Sequence, residues 1–148
     1  MISRMTAKVS LDFQLITSRL QSAEIPPVDC VVGIATGGTV PASLAAFHLG
    51  KPLVMLGINY RAPDNSPRYA TPKVIHSAEI PSPVKHILLV DDVSVSGKTV
   101  AVAKAQLPDV QITTLVMKGS ADIVLFPEVS SCVIWPWKIE PNLQPVAR

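Results

Sequence analysis

Apolar residues in this chain come in short, solid runs, and the spacing changes between them. CVVGIA at 30–35, PLVMLGI at 52–58, HILLVDD at 86–92 and VQITTLVMK at 110–118 are all rich in Val, Ile and Leu. Runs of this length, without polar alternation, predict strands covered on both faces. SLDFQLITSRLQSA, beginning at Ser10, has a helical period instead. Phe13, Ile16 and Leu20 share one face, Ser10 stands where a cap belongs, and Asp12 suits the positive end. Pro26 and Pro27 close that segment. VPASLAAFHL (40–49) predicts a second helix, with Pro41 in its first turn and Gly50 just past its end. A third starts near Gly97 and runs to Leu107, stopped by Pro108. VIHSAEI predicts an edge strand before the PSP turn, and CVIWPWK a short strand entering a Pro-broken tail.

Strands alternating with helices across short turns predict an α/β fold, a parallel twisted sheet flanked by helices. In such sheets ligands sit beyond the carboxyl ends of the strands. The turns at 36–38, 59–73, 91–97 and 118–122 all follow strands, so they are expected on one rim. The 59–73 stretch is polar and Pro-rich, and carries Tyr60, Arg61, Arg68 and Tyr69. It is long enough to close over a site, and equally suits a solvated loop.

Composition narrows the class. The chain has 148 residues, and residues 1–148 are expected to form a single domain. Hydrophobic residues make up 48% and charged residues 16%, yet no apolar run approaches the roughly 18 residues of a membrane span. MISRMTAKVS has basic residues but no apolar core after it, so no secretory signal is expected. A net charge of +2 is too mild to argue for nucleic acid. Cys30 and Cys132 both lie in apolar runs, which predicts two buried, reduced thiols and a cytoplasmic protein. His48, His76 and His86 show no partner pattern and are expected to be structural, and no Cys/His spacing suggests zinc.

The chemistry concentrates in LLVDDVSVSGKTV, residues 88–100. Its GKT ending invites comparison with an ATPase loop, which needs Gly, four residues, then Gly-Lys-Ser/Thr. The first of those glycines would fall at Asp92, so that reading fails. The stretch instead delivers two carboxylates, Asp91 and Asp92, to a strand end. A turn of Ser94, Val95, Ser96, Gly97, Lys98 and Thr99 then leads into a helix. Free N–H groups at a helix start suit a phosphate, hydroxyls add donors, and a glycine lets the backbone approach. Carboxylates would repel that phosphate but suit the hydroxyls of a sugar diol. Phosphate on the turn and diol on the acids together describe a ribose 5-phosphate. The plainer alternative is a strand ending in solvated acids before a capped helix.

LLVDDVSVSGKT resembles the 5-phosphoribosyl 1-diphosphate (PRPP) signature of type I phosphoribosyltransferases: apolar residues, two acids, then a small-residue turn. VVGIATGGTVPASLAA is similar to the first loop of these enzymes, where the turn binds diphosphate, here Thr36, Gly37 and Gly38. TLVMK resembles the strand whose closing lysine, Lys118, meets the exocyclic oxygen of a 6-oxopurine. CVIWPWK resembles the C-terminal hood over the base in the small xanthine and guanine transferases, with Val133 and Ile134 beside it. Trp135 and Trp137 are expected to pack against the sheet. The resemblance implies an unusual peptide between Ala35 and Thr36, Mg2+ as cofactor, and a homodimer or homotetramer. It implies PRPP and a nucleobase or nucleoside monophosphate as partners, with no nucleic acid or membrane.

Four positions depart from the family pattern. Thr36 stands where Arg is usual before the glycine pair, and Val95 where the purine enzymes commonly place Asp near the base. Cys132 replaces the aromatic that stacks on the purine, and Lys138 replaces an acid. A carboxylate at 95 could move a proton, which valine cannot do. The resemblance therefore implies transfer of ribose 5-phosphate from PRPP to a purine-type base, with release of diphosphate. Asp91 and Asp92 would be the catalytic acids, meeting Mg2+ through ribose hydroxyls or water. The alternatives are a PRPP- or nucleotide-binding sensor that lost base chemistry, and a salvage enzyme for a non-purine acceptor.

Overall fold

The computed structural model describes residues 8–59 and 71–138. The run CVVGIA forms strand β2 (Cys30–Ala35), and it packs between β3 (Leu53–Asn59) and β5 (His86–Ser94). Outside these stand β4 (Lys73–His76), β6 (Gln111–Gly119) and β7 (Ile123–Val124), giving the order β4-β3-β2-β5-β6-β7. Every pairing is parallel except β3 with β4, which is antiparallel. A separate parallel pair joins β1 (Val9–Ser10) to β8 (Val133–Ile134). The solid apolar runs became the inner strands because both faces of the sheet are covered. One face packs Val31, Leu88, Val90, Leu115 and Met117 under helices α1 (Phe13–Ser22) and α2 (Thr39–Leu49). The other packs Val32, Ile34, Ile87 and Leu89 against Ala103 of α3 (Lys98–Ala105) and Leu107 beyond it.

Helix boundaries follow local chemistry. α2 has Pro41 in its first turn and stops at Gly50, whose φ of 64° is the left-handed cap conformation. α1 corrects one expectation: its cap is Asp12, whose Oδ1 accepts from the Leu15 N–H at 2.8 Å. Ser10 is drawn into β1 beside Ile134 and is not available as a cap. Ile16 and Leu20 are buried, but Phe13 is 44% exposed and lies 6.1 Å from the Trp137 ring. The two cysteines also separate. Cys30 is buried on β2, whereas Cys132 is exposed, because β8 is only two residues long and begins after it. Tyr60, Arg61, Arg68 and Tyr69 lie outside the described residues. Among the described residues, no helix is long and apolar enough to cross a membrane.

Candidate functional site

In a parallel sheet the carboxyl ends of β2, β3, β5 and β6 meet on one rim. β5 runs further than its sequence pattern suggests, through Ser94, because β6 stays in register with it as far as Gly119. The acid pair is therefore part of the strand. The two acids stay close enough for their side chains to interact, but their surroundings differ. Asp91 is 7% exposed, while Asp92 is half-buried and its carboxylate lies against Gly37. Asp91 Oδ1 accepts the Asp92 N–H at 2.8 Å, and Asp92 Oδ1 accepts the Val93 N–H at 2.7 Å. Burial, and then the neighbouring charge of Asp92, pushes the Asp91 carboxyl well above the ordinary carboxylate range.

The turn after β2 fits this acid pair closely. A Cβ on Gly37 would lie 2.6 Å and 2.7 Å from the two carboxylate oxygens of Asp92. A Cβ on Gly38 would lie 2.6 Å from the Val90 carbonyl oxygen and 2.7 Å from that of Ile34, so only glycine fits there. The Gly38 N–H donates to Ile34 O at 2.7 Å, the Thr39 N–H donates to Thr36 O at 3.1 Å, and the Ala35–Thr36 peptide is cis. Thr36 is exposed. Both sequence-selected loops thus meet at one contact, the Asp92 carboxylate over Gly37.

Beyond Asp92 the chain forms a polar recess lined by Val93, Ser94, Val95, Ser96, Gly97 and Thr99. Ser94 is buried, Ser96 and Lys98 are exposed, and Gly97 has a φ of 79° as it opens α3. The Lys98 N–H is engaged by Ser96 Oγ at 3.3 Å. Val95 is 76% exposed, an apolar side chain standing free beside a polar recess. This arrangement can receive an anion on N–H and hydroxyl donors.

The residues expected at the base are split between two sheets. Lys118, half-buried, stands one residue before the end of β6, beside Val93 of β5. Val133 and Ile134 belong to the small β1–β8 pair and are half-buried. The tryptophans after them are packing residues: Trp135 is buried, and its ring stacks on Trp137 at 5.1 Å with 8° between planes. Lys138 is exposed. Of the histidines, His86 pairs through Nε2 with the Thr113 hydroxyl at 2.7 Å, at the far end of the sheet.

Two features had no clear signal in the sequence. Asp122 Oδ2 accepts from Thr114 N at 2.9 Å and from Thr114 Oγ1 at 3.1 Å, and its own N–H donates back to that hydroxyl at 2.9 Å. Gly119, directly after Lys118, has a φ of 110° and touches the Ser94 main chain. A glycine at a strand end was the only available hint.

Among the described residues no group of three or more His, Cys, Asp or Glu side chains could hold a metal ion. That does not disqualify Mg2+, which commonly binds through one or two carboxylates plus substrate oxygens and water. The half-buried Asp92 carboxylate on the rim meets that requirement.

A mostly parallel sheet with a glycine turn, an acid pair and a hydroxyl-rich turn on one rim defines the type I phosphoribosyltransferase class of fold. The chain belongs to the phosphoribosyl transferase domain family, which matches residues 15–135. Over 72 residues it is 35% identical to the orotate phosphoribosyltransferase of Pyrobaculum islandicum, covering 49% of this chain and 33% of that protein. It thus spans about a third of the length of this curated relative. The purine phosphoribosyltransferase of Pyrococcus horikoshii superposes with a TM-score of 0.71 at 20% identity, over 93% of this chain and 99% of that one. The xanthine-guanine-hypoxanthine phosphoribosyltransferase of Helicobacter pylori gives 0.63 at 15% identity, over 89% and 93%. At these identities the two structures establish the shared fold.

Proposed function

We propose that this chain transfers the 5-phosphoribosyl group from PRPP to a purine-type nucleobase and releases diphosphate. The observation that carries the reading is the Asp92 carboxylate resting on Gly37, with the 94–99 recess continuing from the same strand. One continuous rim then offers amides for diphosphate, carboxylate for ribose hydroxyls, and amides and hydroxyls for the 5-phosphate.

The chemistry follows from that order. Ser94, Ser96, Thr99 and the amides of Val95, Ser96, Gly97 and Thr99 hold the 5-phosphate at the start of α3. The half-buried Asp92 accepts from the ribose hydroxyls and favours positive charge on the sugar ring as the C1–O bond breaks, with Asp91 buried behind it. The bond's electron pair leaves with diphosphate, steadied by the Thr36 and Gly37 amides, since the Gly38 N–H is already given to the Ile34 carbonyl. A ring nitrogen of the base supplies its lone pair to C1, and its proton passes to water. Asp91 and Asp92 would hold Mg2+ through ribose hydroxyls or water. When bound, Mg2+ offsets charge on the departing diphosphate. Lys118, with Val133 and Ile134 from the hood, takes the base.

Val95 sets the character of the site. The exposed valine supplies no general base, so ionisation of the base falls to solvent, and purine turnover is slow. The same valine favours a second reading, a module that binds PRPP or a nucleotide without turnover. One experiment separates them: product formation by the full chain from PRPP and Mg2+, with hypoxanthine, guanine, xanthine, adenine and orotate. Nucleotide product establishes transfer and names the acceptor. Tight PRPP binding with no product on any base supports the sensor.

A further inference from the structure

We propose that Gly119 and Ser120 are positioning residues that lock the phosphate turn to the strand end carrying Lys118, so that the two subsites fill cooperatively. This rests on the reading above, in which the 94–99 turn takes the 5-phosphate and Lys118 meets the base. β5 and β6 hold register to their last residues, with Val93 beside Lys118 and Ser94 beside Gly119. Past the end of the ladder, the Ser120 N–H donates to the Ser94 carbonyl oxygen at 2.7 Å. Gly119 has a φ of 110°, a conformation that side-chain-bearing residues rarely adopt. A Cβ there would lie 2.8 Å from the Ser94 carbonyl carbon, 3.0 Å from its nitrogen, and closer still to its oxygen. The two main chains are in direct contact.

The contact falls at a telling place. Ser94 is the last buried residue before the turn opens to solvent at Val95 and Ser96. Lys118 is the last side chain of β6 before Gly119. The segment gripping Ser94 is itself tied back, because Asp122 and Thr114 exchange hydrogen bonds across it. A phosphate in the turn fixes Ser94, and through the Ser120 N–H and Gly119 it fixes the strand end bearing Lys118. A base then meets a lysine on a strand end that the bound phosphate holds more firmly. Coupling of this kind is reciprocal: each ligand raises affinity for the other by the same factor.

The test is calorimetric titration of the full chain with ribose 5-phosphate and with hypoxanthine, xanthine or guanine, each alone and in the presence of the other. In the wild type each ligand should tighten the other by about tenfold, within the usual range of coupling between sites. Gly119→Ala forces the Ser94 main chain to move, and a misplacement near 1 Å can cost about 100-fold. The variant should therefore bind ribose 5-phosphate about 10- to 100-fold more weakly and lose the mutual tightening. A folded variant with a lower Tm but wild-type affinities and coupling would show that Gly119 is merely structural, and overturns the proposal. So does a wild type that binds ribose 5-phosphate with no change when base is added. A wild type that binds no ribose 5-phosphate defeats the functional reading as well. Should Gly119→Ala not fold, amide exchange in the wild type decides: the Ser120 N–H should exchange more slowly with ribose 5-phosphate bound, and an unchanged rate refutes the link.

Discussion

Replacing Gly37 with alanine separates the site from the fold. Gly37 is not among the glycines with positive φ, so its backbone accepts a side chain. By itself such a change stabilises a protein by about 0.4–1 kcal/mol through the unfolded chain. The obstacle is Asp92: the new methyl would lie 2.6 Å from Oδ1, 2.7 Å from Oδ2 and 2.8 Å from Cγ. Ordinary contact needs about 3.5 Å, so the carboxylate must retreat by roughly 0.8 Å. It is the end of a half-buried side chain, so it can give way at the cost of part of its bond to the Val93 N–H, which roughly offsets the unfolded-chain gain. Turnover is less forgiving. A displacement close to 1 Å lowers the rate about 100-fold, or about 2.7 kcal/mol of barrier. Gly37→Ala should therefore leave Tm nearly unchanged while kcat/KM for PRPP falls by about two orders of magnitude. The assay is initial-rate kinetics on whichever base gives product, run with Asp92→Asn and the double variant. If the methyl acts through Asp92, the double variant is scarcely worse than Asp92→Asn alone. Losses that add fully, or a Gly37→Ala enzyme with normal turnover, would refute the coupling of this turn to the acid.

Other expectations follow from single contacts. Val95→Asp should raise turnover on purines by about 10²-fold or more while leaving PRPP affinity nearly unchanged, measured as kcat against KM; fast wild-type turnover on any purine would show that valine does not impair the site. Asp91 is held above its ordinary value of 3.8, so between that value and the raised one the native state keeps a proton the unfolded chain has lost. Stability from this group is thus present at low pH and falls as pH rises through that window. Asp91→Asn should accordingly gain in Tm over wild type as pH rises and match it in acid; a constant difference at every pH would contradict the assignment. Asp122→Ala removes the acceptor for two Thr114 donors and should lower stability by about 1–3 kcal/mol in urea unfolding, and a change below about 0.3 kcal/mol would show the pair to be idle.

Much of the scaffold was legible because its signals are local. CVVGIA is a strand from Cys30 to Ala35, and Pro41 and Gly50 mark a helix near where their φ preferences place one. The family resemblance in LLVDDVSVSGKT and VVGIATGGTVPASLAA rests on residue types that any turn opening a helix at an anion site would need. Ser10 shows the limit of such reasoning. Its type fits a cap, yet pairing with Ile134, more than a hundred positions away, takes it into a strand and leaves Asp12 to cap the helix. Cys132 fails for a related reason: an apolar neighbourhood in sequence did not become one in space, because β8 ends as soon as it begins.

The sequence alone determined which residues can do chemistry here, because hydroxyls, carboxylates and flexible turns are properties of residue types at short spacing. It could not say how they meet. That Asp91 is buried while Asp92 rests on Gly37 depends on sheet order, which sets the turn after β2 beside the end of β5. That Gly119 must be glycine depends on register between β5 and β6, set by packing across two covered faces. These are distances between segments tens of residues apart, and only the closing of the core brings such segments within contact.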